Sequence, residues 1–162
     1  MLHSRNYLEG FLTVMGQDTG ALDYLRRHNV MTLATSGPEG IWAAAVFYVN
    51  EDFTLYFLSA SSSRHAQNMA VQSRAAVTIQ EDYRYWPDIK GIQAEGHVLR
   101  LGGRMQAHAV GLFARKFPII VDAPPPLSHA LHRVSWYSFT PTRLFYIDNS
   151  AGFGHRDEIS LD

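Results

Sequence analysis

The sequence predicts a small, mainly β protein, an antiparallel barrel with attached helices. Short runs of β-branched, aromatic and apolar residues recur along the chain, separated by turns rich in Gly, Pro, Asn and Asp. Most of these runs follow one another without an intervening helix, which argues against a doubly wound parallel sheet. Two or three helical segments stand outside the pattern, as in small barrels with flanking helices. Nine Phe, eight Tyr and three Trp suit a chain whose side chains pack on pleated surfaces.

The elements read in order. From about Asn6 to Val14, Tyr7, Leu8, Phe11 and Leu12 recur at helical spacing, so residues 1–15 read as a helical arm that Gly16 breaks. Asp18 or Thr19 caps a second helix running to His28, with Leu22, Tyr24 and Leu25 on its apolar side. Val30–Thr35 is the first strand, and the second follows the Ser36–Gly40 turn as Ile41–Val49, with Ala43, Ala44 and Ala45 in a row. Phe53–Ser59 is the third strand, and a helix follows Ser63 to about Gln72. Ala75–Ile79 is the fourth strand. Lys90–Leu101 is the fifth, with Gly91 and Gly96 inside it as marks of a bulge or a close backbone approach. Gly103–Phe117 is a helix with Met105, Ala109, Leu112 and Phe113 on one side, stopped by Pro118. Pro124–Pro126 reads as a stiff loop, and His132–Asp148 supplies one or two strands bent at Pro141. Ala151–His155 is a Gly-flanked aromatic turn. Neither an internal repeat nor a linker interrupts the chain, which reads as a single domain over 1–162.

Composition narrows the function. A chain of 162 residues that is 46% hydrophobic and 18% charged can bury a core of one domain's size. A net charge of −1 without a basic patch gives no support to a nucleic-acid partner. With no cysteine, disulfides and thiolate metal sites are excluded. The N-terminus lacks the form of a signal peptide and no apolar run has membrane-spanning length, so a soluble, cytoplasmic protein without a membrane partner is expected. His129 and His132 are three apart, but no carboxylate pattern completes a metal site, and they read as a surface pair. Tyr83, Tyr85 and Trp86 either line a substrate site or cover a barrel mouth or interface. Neither a Ser-His-Asp order nor a carboxylate pair supports a hydrolase.

The strongest functional signal is Leu55–Met69. A strand ends in Ser59-Ala60-Ser61-Ser62-Ser63 and enters a helix at Arg64-His65. Free N–H groups at a helix start favour an anion. Arg64 adds a planar, permanently charged fork and His65 a second donor. The plainer alternative is a Ser N-cap beside a solvated Arg.

Phe57–Ala66, Ser73–Ile79, Lys90–Gly96 and the closing Asn149–Gly154 together resemble the FMN-binding split-barrel superfamily, whose best-known member is pyridoxamine 5′-phosphate oxidase. The closing segment resembles an uncharacterised bacterial branch of it. The resemblance implies a six- to seven-stranded antiparallel split β-barrel with flanking helices. It also implies an FMN-dependent oxidoreductase of a small molecule, working as a homodimer with FMN at the subunit interface. By position, Ser63, Arg64 and His65 would hold the phosphate, and Leu58 and Ser59 would lie near the ribityl chain or ring. Ala44, Ala45 and Val46 would present backbone groups and a flat apolar wall to the isoalloxazine. Lys90 and Gly91 would join the cofactor set. The alanine run leaves room for a wide planar ring, although close packing on a neighbouring strand would also use alanine.

The departures carry weight. Ala43 and Tyr48 stand where the family oxidase has Arg and Lys, His65 where it has Lys, and Gly91 where it has Gln. FMN should therefore be held more weakly than in the oxidase. Thr140–Leu144 matches only part of the oxidase's C-terminal signature, so a vitamin B6 oxidase is not expected. Two alternatives remain open. One is a haem-binding or haem-degrading protein on the same barrel, with His155 of the Gly152–His155 turn over the cofactor or simply exposed. The other is a non-catalytic flavin-binding dimer.

Overall fold

The computed structural model describes residues 19–161. The helical arm expected over residues 1–15 lies outside the described residues. Residues 19–27 form α1. The elements that follow are β1 (Val30–Gly37), β2 (Gly40–Glu51), β3 (Thr54–Ala60), α2 (Arg64–Val71), β4 (Arg74–Gln80), β5 (Lys90–Arg100), α3 (Gly103–Lys116), α4 (Pro125–Leu131), β6 (Val134–Asp148) and β7 (Arg156–Glu158). The strands pair antiparallel in the order β3-β2-β1-β4-β5-β6-β7, and β3 also pairs with β6, closing six strands into a barrel with β7 outside the closure.

Alternation sets which faces are buried. Met31, Leu33 and Thr35 of β1 point inward, as do Ala75, Val77 and Ile79 of β4 and Leu55, Phe57 and Ser59 of β3. The intervening residues face out. α1 closes one end of the core with Ala21, Tyr24 and Leu25, all essentially inaccessible. Two tyrosines fix it there. Tyr48 Oη donates to the Leu25 carbonyl at 2.8 Å, and Tyr24 Oη donates to the Lys90 carbonyl at 3.0 Å. α3 packs outside the barrel, where Ala109, Leu112 and Phe113 meet Val49 and Trp136. Met105, expected on the same face, is 52% exposed, because burial along α3 begins at Ala109.

The expected bend at Pro141 is part of one continuous β6 that joins β3, β5 and β7. Pro141 lies opposite Gly96 where the β5–β6 register shifts between Glu95 and Gly96. Pro141 has no N–H to give the ladder, so the strands adjust by a bulge. Gly96 makes the close approach possible, since a Cβ there would sit 2.2 Å from the Thr140 carbonyl oxygen and 2.7 Å from Pro141 Cα. The expected loop at Pro124–Pro126 is instead the start of α4, with Pro124 as N-cap and proline in the first turn. The first helical N–H groups have no intrahelical partner, so proline forfeits nothing there.

Lys116 links α3 to the end of α1. Its ammonium donates to the His28 carbonyl and lies 4.7 Å from the centre of the Tyr48 ring. Burial pushes the Lys116 pKa down to about 8 from 10.5. Below pH 8 both the native and unfolded chains carry this proton, and the native state bears the cost of burying it. Between about 8 and 10.5 the native chain has released the proton while the unfolded chain keeps it, so stability from this group rises with pH. The Tyr24 and Tyr48 hydroxyls are held protonated above their usual range by burial, so their opposing effect begins only above about pH 10.

Two outcomes are expected. Gly96→Ala should lower stability by about 1–3 kcal/mol through overpacking, read as an earlier urea midpoint with an unchanged slope. Urea midpoints of the wild type should rise from pH 8 to 9.5, whereas Lys116→Met should flatten that rise.

Candidate functional site

The β2–β3 ladder runs from Glu51–Thr54 to Tyr48–Phe57 and stops. Beyond that point β2 stays with β1 through Gly40, while β3 stays with β6 through Ala60–Val134. The two strands splay, and the edge of β2 from Gly40 to Phe47 has no strand partner on that side among the described residues. α2 spans the base of the split. Ser63 caps it, its Oγ accepting from Ala66 N at 3.3 Å. Buried Asn68 ties it to β1 by donating to Thr35 Oγ1 at 3.2 Å. Gly37 leaves the space for that contact, because a Cβ there would fall 2.1 Å from Asn68 Oδ1.

A cleft of about 450 Å³ lies in the split. One side is Ala45, Val46 and Phe47 of β2 with Leu58 and Ser59 of β3. The other is Phe113 of α3 and its C-cap Phe117, Ile119 and Ile120 of the following turn, and Leu131 of α4. Phe47 and Phe117 meet edge to face at 5.6 Å, so β2 and α3 touch at this wall. The polar lining is confined to Ser59 and His65. Their groups interlock: Ser59 Oγ and Ser63 Oγ both hydrogen-bond with His65 Nε2, and the two hydroxyls lie 3.0 Å apart. Burial lowers the His65 pKa, which keeps the ring neutral at neutral pH.

Arg64 turns the other way. Its Nη2 donates to the Glu39 carbonyl at 2.7 Å, and its guanidinium lies 4.8 Å from the centre of the Trp42 ring. Its Nε–H is shielded from solvent and makes no hydrogen bond, with Glu39 Oε2 at 3.8 Å.

The structure therefore brings together Ala45, Val46, Leu58, Ser59, Ser63 and His65 of the sequence-predicted set. Ala44 sits on the inner side of β2 opposite Leu33, next to the cleft without lining it. Lys90 and Gly91 are elsewhere on the barrel. Lys90 Nζ pairs with Asp148 Oδ2 at 2.9 Å, and Gly91 faces Ile147. Of the two departures on β2, Ala43 lies on the outer face opposite Ala34, and Tyr48 fills the interior. His155 Nε2 is bound to Asp157 Oδ2 at 2.9 Å and does not line the cleft. Trp86 and Phe153 meet edge to face at 5.2 Å and are both exposed. His129 and His132 are exposed. Sequence reasoning missed the α3–α4 wall. Its one local signal is the i, i+4 aromatic pair Phe113 and Phe117, whose rings lie 5.4 Å apart.

A six-stranded antiparallel barrel, opened between two neighbouring strands with a cleft in the opening, is a split barrel. The chain belongs to the pyridoxamine 5′-phosphate oxidase family, whose model matches residues 19–148. Its relatives include the UPF0306 protein of Photorhabdus laumondii, 30% identical over 135 residues that span 82% of this chain and 88% of that protein. HutZ, the haem storage protein of Vibrio cholerae, shares the fold with a TM-score of 0.70 at 16% identity, over 86% of this chain and 99% of that one. An FAD-binding protein of Mesorhizobium loti does so with a TM-score of 0.59 at 16% identity, over 78% of this chain and 90% of that one.

Proposed function

We propose that the cleft binds FMN and that the protein is a cytoplasmic, homodimeric flavin oxidoreductase distinct from the vitamin B6 oxidase. The observation that carries this reading is the polarity order of the cleft. A flat apolar slot, between the unpaired β2 edge and an aromatic wall, ends in a hydroxyl–imidazole pocket. That order matches a planar ring joined to a phosphate. The volume lies within the range of small-molecule sites.

In this reading Ser59, Ser63 and His65 hold the phosphate, Arg64 stays outside the cleft with Glu39 and Trp42, and Leu58 packs on the ring. The free N–H and C=O groups along Ala45–Phe47 meet its polar edge. Bound flavin supplies hydride or electron transfer. The chain's own residues bind, orient and keep water away. The cleft lining contains no carboxylate, so no catalytic acid is assigned to it.

The outer sheet face supports the dimer. One row across it reads Ala45, Thr32, Thr78, Gln93, and the next reads Ala43, Ala34, Ala76, Glu95. The small members of these rows, Ala45, Thr32, Thr78, Ala43, Ala34 and Ala76, let a second copy approach closely. Flavin is favoured over haem because His155 is engaged with Asp157 outside the cleft. His65, the imidazole in the cleft, has its Nε2 occupied by two hydroxyls.

Protein incubated with FMN and then desalted should keep the flavin absorption bands. FMN at a hundred times its Kd should stabilise the fold by about 2.7 kcal/mol. Ala45→Trp, at a position shared by the cleft and the outer face, should abolish the bands. A colourless protein that instead takes up haem would overturn the reading.

A further inference from the structure

The anion end of the cleft holds its positive charge in reserve. Arg64 is committed to Glu39 and Trp42. Among the residues that line the cleft, His65 is the one titratable group. The neighbours facing it bring no competing charge. β2 contributes Ala45, Val46 and Phe47, and β3 contributes Leu58 and Ser59. α3 contributes Phe113 and its C-cap Phe117, the turn after it Ile119 and Ile120, and α4 Leu131. Lys116 of α3 is turned to the His28 carbonyl, and His129 of α4 is exposed.

We propose that the cleft binds its phosphorylated ligand together with a proton, which His65 takes up, so that the ligand is held more tightly at mildly acid pH and released as pH rises. This rests on the reading of the cleft as an FMN site. Without ligand the ring is neutral, its Nε2 meeting the hydroxyls of Ser59 and Ser63. Burial penalises the charged ring, as its lowered pKa records. A phosphate monoester reverses the balance, because two negative charges beside the imidazole favour imidazolium. The hydroxyls can then turn their protons to the phosphate as well. Between the two pKa values of His65, one proton enters with each ligand, and affinity falls as pH rises, by up to about tenfold per pH unit. The ligand's own second ionisation, near pH 6, leaves it a dianion through most of this window.

The test is FMN affinity of the full chain, read by quenching of flavin fluorescence at pH 6.5, 7.5 and 8.5 at constant ionic strength. Calorimetry in two buffers of different ionisation enthalpy counts the protons. The wild type should lose affinity across the range, at least fivefold over one of the two steps, and take up close to one proton per FMN at pH 7. Riboflavin, which lacks the phosphate, should show a flat profile. His65→Lys should bind FMN with a flat profile, and His65→Gln should bind it weakly and without proton uptake. Wild-type binding that is flat with pH and takes up no proton overturns the inference while leaving the FMN site standing. Persistence of the slope in His65→Gln does the same. Failure of FMN to bind at all three pH values overturns the site itself, and the inference with it.

Discussion

The ladder between β2 and β3 ends at Tyr48–Phe57, and the geometry of the cleft follows from that termination. Both residues are completely buried. The Tyr48 hydroxyl is tied to the Leu25 carbonyl, and the Phe57 ring stacks on Tyr137 at 5.3 Å. The vertex of the split is therefore pinned by core packing, while its two arms are held by different neighbours, β1 and β6. An unpaired strand edge is a liability, because its N–H and C=O groups invite pairing with another chain. α3, the turn after it and α4 stand over the split with a wall of aromatic and branched side chains, which narrows the edge's access to solvent. Barrel closure by β3–β6 and the open β2 edge are two sides of one arrangement. β3 pairs with β6 from Leu55 to Ala60 on the edge away from β2, so it keeps one neighbour where it has left the other.

The electrostatics of the polar end follow from its burial. A charge under an apolar wall is expensive, whereas hydroxyls and a neutral imidazole are tolerated when they satisfy one another. Ser59, Ser63 and His65 do so. The permanent cation, Arg64, sits on the outer side with a carbonyl, a carboxylate and an indole. An entering anion thus meets donors already engaged with each other, and its binding must displace those contacts. A pocket built this way grips an anion less firmly than one lined by fixed cations.

Much of the barrel was legible because its signals are local. Alternation in β1 and β4 reports their inner faces directly, and a glycine inside a strand at Gly96 signals the close approach that Pro141 makes. The strand–turn–helix from Leu55 to Met69 is likewise contiguous, so Ser59, Ser63 and His65 came together as expected. What differs from the expectation, or lies outside the cleft of one chain, depends on distant pairing or on ambiguity of composition. Proline at Pro124–Pro126 signals a loop or a first helical turn equally well. The α3–α4 wall is made of apolar residues that, in sequence, look the same as core. The resemblance groups Lys90 and Gly91 with the cofactor set. Their place is set by β5 pairing with the far end of β6 at Asp148 and Ile147.

That separation is itself informative about how a complete site would form. Around the barrel from the cleft, β1 and β4 separate β2 from β5 on one side and β6 separates β3 from β5 on the other, with the start of β5 paired to the far end of β6. No side-chain movement within one protomer carries Lys90 or Gly91 across them. The proposed dimer would offer a second route. Ala45 belongs both to the cleft and to the outer face of small residues, and exposed Phe47 stands at the lip beside Phe117. A second copy seated on that face would border the cleft on its open side. By two-fold symmetry it would offer its own face residues there, and the start of its β5 with them if the axis runs close to β1 and β4. The single chain then supplies the anion end and the apolar slot, and the open side is left to the partner.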